Sequence, residues 1–402
     1  MNFQMHTKQI RSDTPKTMTD ESVVNADSRH VFVDTAEGLT TAVKGLKQEA
    51  VIGVDLEADS MFHFKEKVCL LQMATSDTVY IIDPLAVRDL TPLKAVFGNS
   101  RIKKVFHGAD YDIRSLYRDF QISIENLFDT ELACRFLGMT QTSLDKVIQK
   151  YFDQVLDKKY QKKDWSQRPI PNQMIDYAAK DALFLVPLAQ ILEKQLTRKN
   201  RLDWVIEACK LLSRVRPSPP PSTPLYMNFK GAGRLDPLSL SILEDLLLLR
   251  IHLARQYDKP LFKVIGNHAL LILANKKPID ATQLENSRAL SARQTTRFGS
   301  MVLKVIQEAL NRSETNLPAY PKVKTRRLKP SVAKRISALK SWKEEKAGEL
   351  HIDPAMILTK AQMLAIADGN PSHVKDLKTI DPIKQWQIKE FGKEIIEVLR
   401  RK

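Results

Sequence analysis

The sequence predicts an α/β domain, a mixed sheet covered by helices, followed by two small all-α units. Three observations predict it. Short β-branched, apolar runs alternate with helical patterns from Val31 to about residue 196. Strand patterns then disappear from Ser239 onward. Finally, one offset of 93 residues aligns the two helical stretches that follow.

In chain order, residues 1–28 are polar and aperiodic and read as a disordered arm. VFVDT, VIGVDLE, VCLLQMAT, TVYIID and KKVFHG then read as strands. Helical spacing falls at about 36–48, 89–97, 110–119, 130–138, 143–151 and 172–196. The α/β domain is placed at 29–215. RPSPPPSTP opens a linker at 216–232, because proline lacks the N–H and fixes φ. A first helical unit is placed at 233–312, a basic linker at 313–330 and a second unit at 331–402. The 93-residue offset pairs Phe298-Gly299 with Phe391-Gly392, Pro278 with Pro371 and Leu284 with Leu377. It also pairs apolar Val264 and Val302 with Ile357 and Ile395, the mark of a duplicated module.

Composition narrows the class. A chain of 402 residues with 43% hydrophobic content is not disordered throughout. It holds no run of about 18 apolar residues, so no membrane span is expected. Its first residues lack the apolar core of a secretory signal. Cys69, Cys134 and Cys209 are odd in number and far apart, which suits a reduced, cytoplasmic protein without disulfides or a zinc module. The net charge of +16 points to a polyanionic partner, nucleic acid before membrane. That charge is unevenly spread: net +1 over residues 1–215, +6 over 216–310 and +9 over 311–402.

The neutral part carries the acids that suggest chemistry. Asp55 and Glu57 end an apolar strand at i and i+2, so they share a face. Two such acids repel unless a cation lies between them. Asp110 and Asp112 open the helix after KKVFHG; capping is favoured for Asp110, and both capping and ligation are open for Asp112. Tyr177 and Asp181 stand at i and i+4 on a largely apolar helix, either as a simple Tyr–Asp contact or as part of a site. Four acids of this kind suit Mg²⁺ or Mn²⁺, and two such ions can assist phosphodiester hydrolysis.

Asp55-x-Glu57, then Asp112 in HGADYD, then Tyr177-x3-Asp181, resembles the DEDDy class of 3′–5′ exonucleases and, within it, the ribonuclease D family. LLQMAT, FDTELACRFLG and DWSQRPIPNQMIDYAAKDALFL extend that resemblance. The two helical units resemble HRDC domains, which also occur in RecQ helicases; no G-x4-G-K-[ST] phosphate loop of a helicase motor is present. The resemblance implies a ribonuclease H-like fold. It implies that Asp55, Glu57 and Asp181 hold the ion at which water attacks, Asp55 and Asp112 the ion on the leaving-group side, and that Tyr177 orients the water. It further implies release of 5′-mononucleotides from RNA with a single-stranded 3′ end, tRNA precursors above all. Gly108 departs from the asparagine that related exonucleases often carry there, and His107 is read as a hydrogen-bonded structural residue. Trp165, Arg168 and Gln173 precede the last motif; Arg168, with its planar fork, is given a phosphate contact over a packing role. Lys158, Lys159, Lys162 and Lys163 either line the substrate path or form a solvated loop. A DNA exonuclease and a catalytically idle RNA-binding protein are the alternatives.

Overall fold

The computed structural model describes residues 29–219, 222–313, 317–321 and 328–401, so the arm at 1–28 and much of the basic linker lie outside the described residues. Six strands form one sheet: β1 (Arg29–Val33), β2 (Val51–Ala58), β3 (Val68–Ala74), β4 (Thr78–Ile82), β5 (Lys103–Phe106) and β6 (Leu127–Asp129). Their order is β1-β4-β3-β2-β5-β6. β3 runs antiparallel to β2 and β4, while β1–β4, β2–β5 and β5–β6 are parallel. Every residue of β3 is buried, as a strand covered on both faces requires.

The five strand readings hold and a sixth, β6, joins them; at three residues it is too short for any period to show. Residues 172–196 are two helices, Asn172–Leu183 and Leu185–Arg198, broken at Phe184. The stretch at 89–97 is a 3₁₀ turn, Thr91–Leu93, running into the short helix Lys94–Phe97. The helix Leu202–Leu212 was not anticipated.

Both helical stretches repeat one plan: a long helix (Pro237–Gln256; Pro330–Leu350), a middle helix (Asn267–Lys276; Lys360–Gly369) and a closing helix (Ala292–Leu310; Gln385–Arg400). The copies share internal contacts. Gly299 lies under Leu284 and Gly392 under Leu377. Gln294 Nε2 donates to the Val264 carbonyl at 2.8 Å, and Gln387 Nε2 to that of Ile357 at 2.7 Å. Both pairs are related by the same 93 residues. The first unit reaches back to Leu225 and Tyr226, whose N–H groups donate to Glu244. It also takes in Tyr320, whose hydroxyl donates to the Met227 carbonyl.

Candidate active site

β2 pairs with β5 only over Val51–Gly53, so its carboxyl end projects beyond that neighbour. Asp55 and Glu57 stand on this free end, on one face. Gly53 lies on that same face, and a Cβ there would meet the Ala182 carbonyl oxygen at 2.8 Å and Leu185 Cβ at 3.0 Å. The glycine thus lets the Asn172–Leu183 helix lie flush on β2. Asp181, in its last turn, is thereby brought to the strand acids. Asp55, Glu57 and Asp181 each offer an oxygen within 4.8 Å of the others.

Asp112 stands buried in the first turn of the helix Asp110–Phe120, beside the strand acids but outside the three-acid group and the residues that line the cleft. Its electrostatic pressure is felt at Glu57, and that of Asp55 is felt at Asp112. The capping expected of Asp110 is supplied by another residue. Asp110 instead pairs with Arg114 one turn on, at 2.8 Å. The buried Asp129 carboxylate accepts from the N–H groups of Gly108 (3.0 Å) and Ala109 (2.8 Å) at the start of that helix. It also accepts from those of Glu131 and Leu132 at the start of the helix Thr130–Phe136. One carboxylate therefore satisfies donors at two helix N-termini and fixes the turn that presents Asp112.

Gly108 has φ +73°, and a Cβ there would lie 2.9 Å from a carboxylate oxygen of Glu131. The departure from asparagine has a physical cause: Glu131 fills the space. His107 sits between Thr130 Oγ1 (2.9 Å) and the Thr142 carbonyl (2.7 Å), and burial lowers its basicity.

Burial raises Asp55 to about 6. Burial, then the neighbouring acids, hold Glu57 and Asp112 well above the carboxylate range; burial and Asp55 do so at Asp181, against a hydrogen bond from Tyr177. None of the four forms an ion pair among the described residues. An all-oxygen set with unrelieved repulsion fits a hard divalent cation. Tyr177 packs beside Trp165 and edge-on to Tyr160, with centroids at 6.1 and 5.8 Å. Burial and Asp181 raise its pKa, so its hydroxyl keeps its proton. The cleft, about 540 Å³, is lined by Asp55, Glu57, Glu131, Lys158, Tyr177 and Asp181, among others.

The structure does not bring Arg168 into this cleft. Its guanidinium grips Asp83 at 2.6 and 2.7 Å and donates to the carbonyls of Trp165, Gln167 and Cys69. Its hydrogen bonds tie the loop before the helix to β3 and to Asp83 at the end of β4. Lys158 lines the cleft paired to Asp145 at 2.8 Å, while Lys162 and Lys163 are exposed. Gln173 accepts from the Tyr160 hydroxyl. Sequence reasoning missed Asp129, Glu131 and Gly53. The first two stand in FDTE, already noted as a segment, and Gly53 stands two residues before Asp55.

Comparison with known proteins agrees with this fold. The model of a 3′–5′ exonuclease domain matches residues 30–197, and that of the HRDC domain matches 239–306 and 332–399. A ribonuclease D of Bartonella henselae is 28% identical over 401 residues, which cover 99% of this chain and 96% of that protein. The exosome complex component 10 homolog of Caenorhabditis elegans is 34% identical over 259 residues; these are 63% of this chain and only 30% of that longer protein. The crystal structure of the catalytic core of RRP6 from Trypanosoma brucei is 32% identical with a TM-score of 0.63, covering 71% of this chain and 81% of that one. Escherichia coli RNase D, 21% identical, shares the fold with a TM-score of 0.70 over 93% of this chain and 99% of its own.

Proposed function

The chain belongs to the ribonuclease D family of 3′–5′ exoribonucleases, and from that premise we propose that it trims single-stranded 3′ ends of RNA, tRNA precursors above all, with two divalent ions. The observation that carries this is the convergence of Asp55, Glu57 and Asp181 within 4.8 Å without a counter-cation among the described residues. Asp55, Glu57 and Asp181 would hold one ion, and Asp55 and Asp112 the other. Mg²⁺ or Mn²⁺ bound there neutralises the carboxylates and the scissile phosphate and lowers the pKa of water.

The chain's own groups do the rest. Tyr177, still protonated, orients the attacking water through its hydroxyl, which Asp181 holds. Asp129 keeps the Asp112 helix in place. The excess positive charge of the helical units and linkers holds RNA, and the net charge of +1 over residues 1–215 accompanies cleavage.

The test is digestion of 3′-labelled and 5′-labelled RNA and DNA with Mg²⁺ or Mn²⁺. Mononucleotides are expected from the 3′ end of RNA, and neither Asp181→Asn nor Asp112→Asn should release them while both still bind RNA. Equal or faster digestion of DNA would favour a DNA exonuclease. Release of no mononucleotides by the wild type would overturn the reading altogether.

A further inference from the structure

Among the described residues beside the cleft, a buried amide has no use so far. Gln72 of β3 stands directly opposite Asp55 in the antiparallel β2–β3 pair. Opposed residues project to one face. Gln72 therefore shares the face of Asp55 and Glu57, over which the Asn172–Leu183 helix packs. It is 0% exposed, and neither its amide nitrogen nor its amide oxygen meets a hydrogen-bond partner. The rest of β3 is Val68, Cys69, Leu70, Leu71, Met73 and Ala74, without another amide or charge. Leaving a buried amide unpaired is destabilising, a cost that leucine would avoid. Asp55 has the complementary deficit: the backbone N–H of Leu56 is the donor that favours its charged form.

We propose that Gln72 is a positioning residue for Asp55, its amide N–H donating to the Asp55 carboxylate when the acids hold their ions and thereby fixing how that carboxylate is presented. Opposed Cβ atoms lie about 4.5–5.5 Å apart, so turning the Gln72 side chain suffices and the backbone need not move. A carboxylate expected to serve both ions gains most from a fixed orientation. Outer hydrogen-bond partners of metal-holding groups typically contribute about 10–100-fold to metal affinity or activity. The inference rests on the reading of the acids as a metal site.

Gln72→Leu removes the amide and keeps the volume. In the full-length protein without metal it should melt at or above the wild-type temperature. Titration calorimetry should show Mn²⁺ binding about 10-fold weaker. The Mn²⁺ concentration that half-saturates RNA hydrolysis should rise in step. Gln72→Met serves the same purpose if the leucine variant does not fold. Mn²⁺ affinity within twofold of wild type in the folded variant would overturn the assignment. Asp181→Asn separates the two failures. If it loses Mn²⁺ while Gln72→Leu does not, only the role of Gln72 falls. If the wild type binds no Mn²⁺, the metal reading falls and Gln72 with it.

Discussion

The two helical units are copies of one module, yet equivalent positions meet opposite surroundings. Arg293 is exposed in the first unit, and its counterpart 93 residues on is Trp386, 3% exposed and stacked on Trp204 of the nuclease at 4.5 Å. Lys259 and Lys263 are exposed; their counterparts are Ile352 and Met356, which join the apolar cluster of the nuclease. Polar groups secure the second unit as well. Glu207 accepts from the N–H groups of Gln385 and Trp386 at the start of the closing helix, and Arg201 donates to the Leu350 carbonyl at the end of the long one. Each charge faces the helix end of opposite partial charge. Gly138, whose Cβ would fall 2.0 Å from the His351 carbonyl oxygen, lets the backbones meet.

The first unit keeps a separate core, into which the nuclease sends Phe64. Beside it His63 meets Asp258 at 2.6 Å, and the Phe64 N–H donates to the same carboxylate. One module has thus been adapted twice: an apolar version of one face braces the nuclease, while the equivalent face of the first unit is basic, with Lys263 lying over the nuclease Phe62 ring at 4.4 Å. If that basic face meets RNA, the holding proposed above falls mainly to the first unit.

The largest expected effect breaks or keeps this contrast outright. Trp386→Ala opens a cavity between Trp204, Phe136 and Phe391. It should cost about 3–5 kcal/mol in denaturant unfolding of the full chain. Arg293→Ala at the equivalent position should stay within about 0.5 kcal/mol. Similar losses from both would show the first unit to be buried against something as well.

This contrast was only half legible in the sequence. The duplication was visible because shared packing, such as Gly299 with Leu284 and Gly392 with Leu377, demands the same residue types at the same offset. The exchange of Arg293 for Trp386 lay in the same alignment, but its meaning depends on Trp204, in a helix whose pattern had not been read. The candidate site shows the same divide. Asp55 with Glu57, and Tyr177 with Asp181, were legible because a strand or a helix puts them on one face by spacing alone. Gly53, Asp129 and Arg168 answer to partners far along the chain. Gly53 is required by Ala182, Asp129 serves the turn at Gly108, and Arg168 is committed to Asp83. No local period encodes those demands.

The second prediction sharpens the contrast in binding. Lys259→Ala with Lys263→Ala removes two exposed charges that flank the exposed Phe262. If both meet phosphate, the slope of log affinity for single-stranded RNA against log salt should become shallower by about 1.4. Stability should fall by no more than about 1 kcal/mol, the loss coming from Lys263, whose ammonium lies over the Phe62 ring at 4.4 Å. Neutralising Lys375 and Lys378 of the second unit, also exposed, should leave the slope near wild type. A larger loss there would assign RNA to the bracing unit instead.

The smallest expected effect concerns how each unit begins. The long helix of the first unit starts at Asp236, whose carboxylate accepts from the Ser239 N–H at 2.9 Å and hydroxyl at 2.7 Å and pairs with Lys277. Those partners, acting against burial, lower its pKa to about 2. An acid with a depressed folded pKa adds stability above its unfolded value, near 3.8, and loses it as pH falls through the folded one. The counterpart in the second unit is Lys329, which makes no side-chain cap. Acid should therefore cost the first unit a cap, worth about 1 kcal/mol, between about pH 4 and 2, and should take no such contribution from the second. Amide hydrogen exchange across the two long helices would read this directly. Asp236→Ala should abolish the acid step at the first helix while leaving the second unchanged, because the helices differ there in a titratable cap and not in the fold they begin.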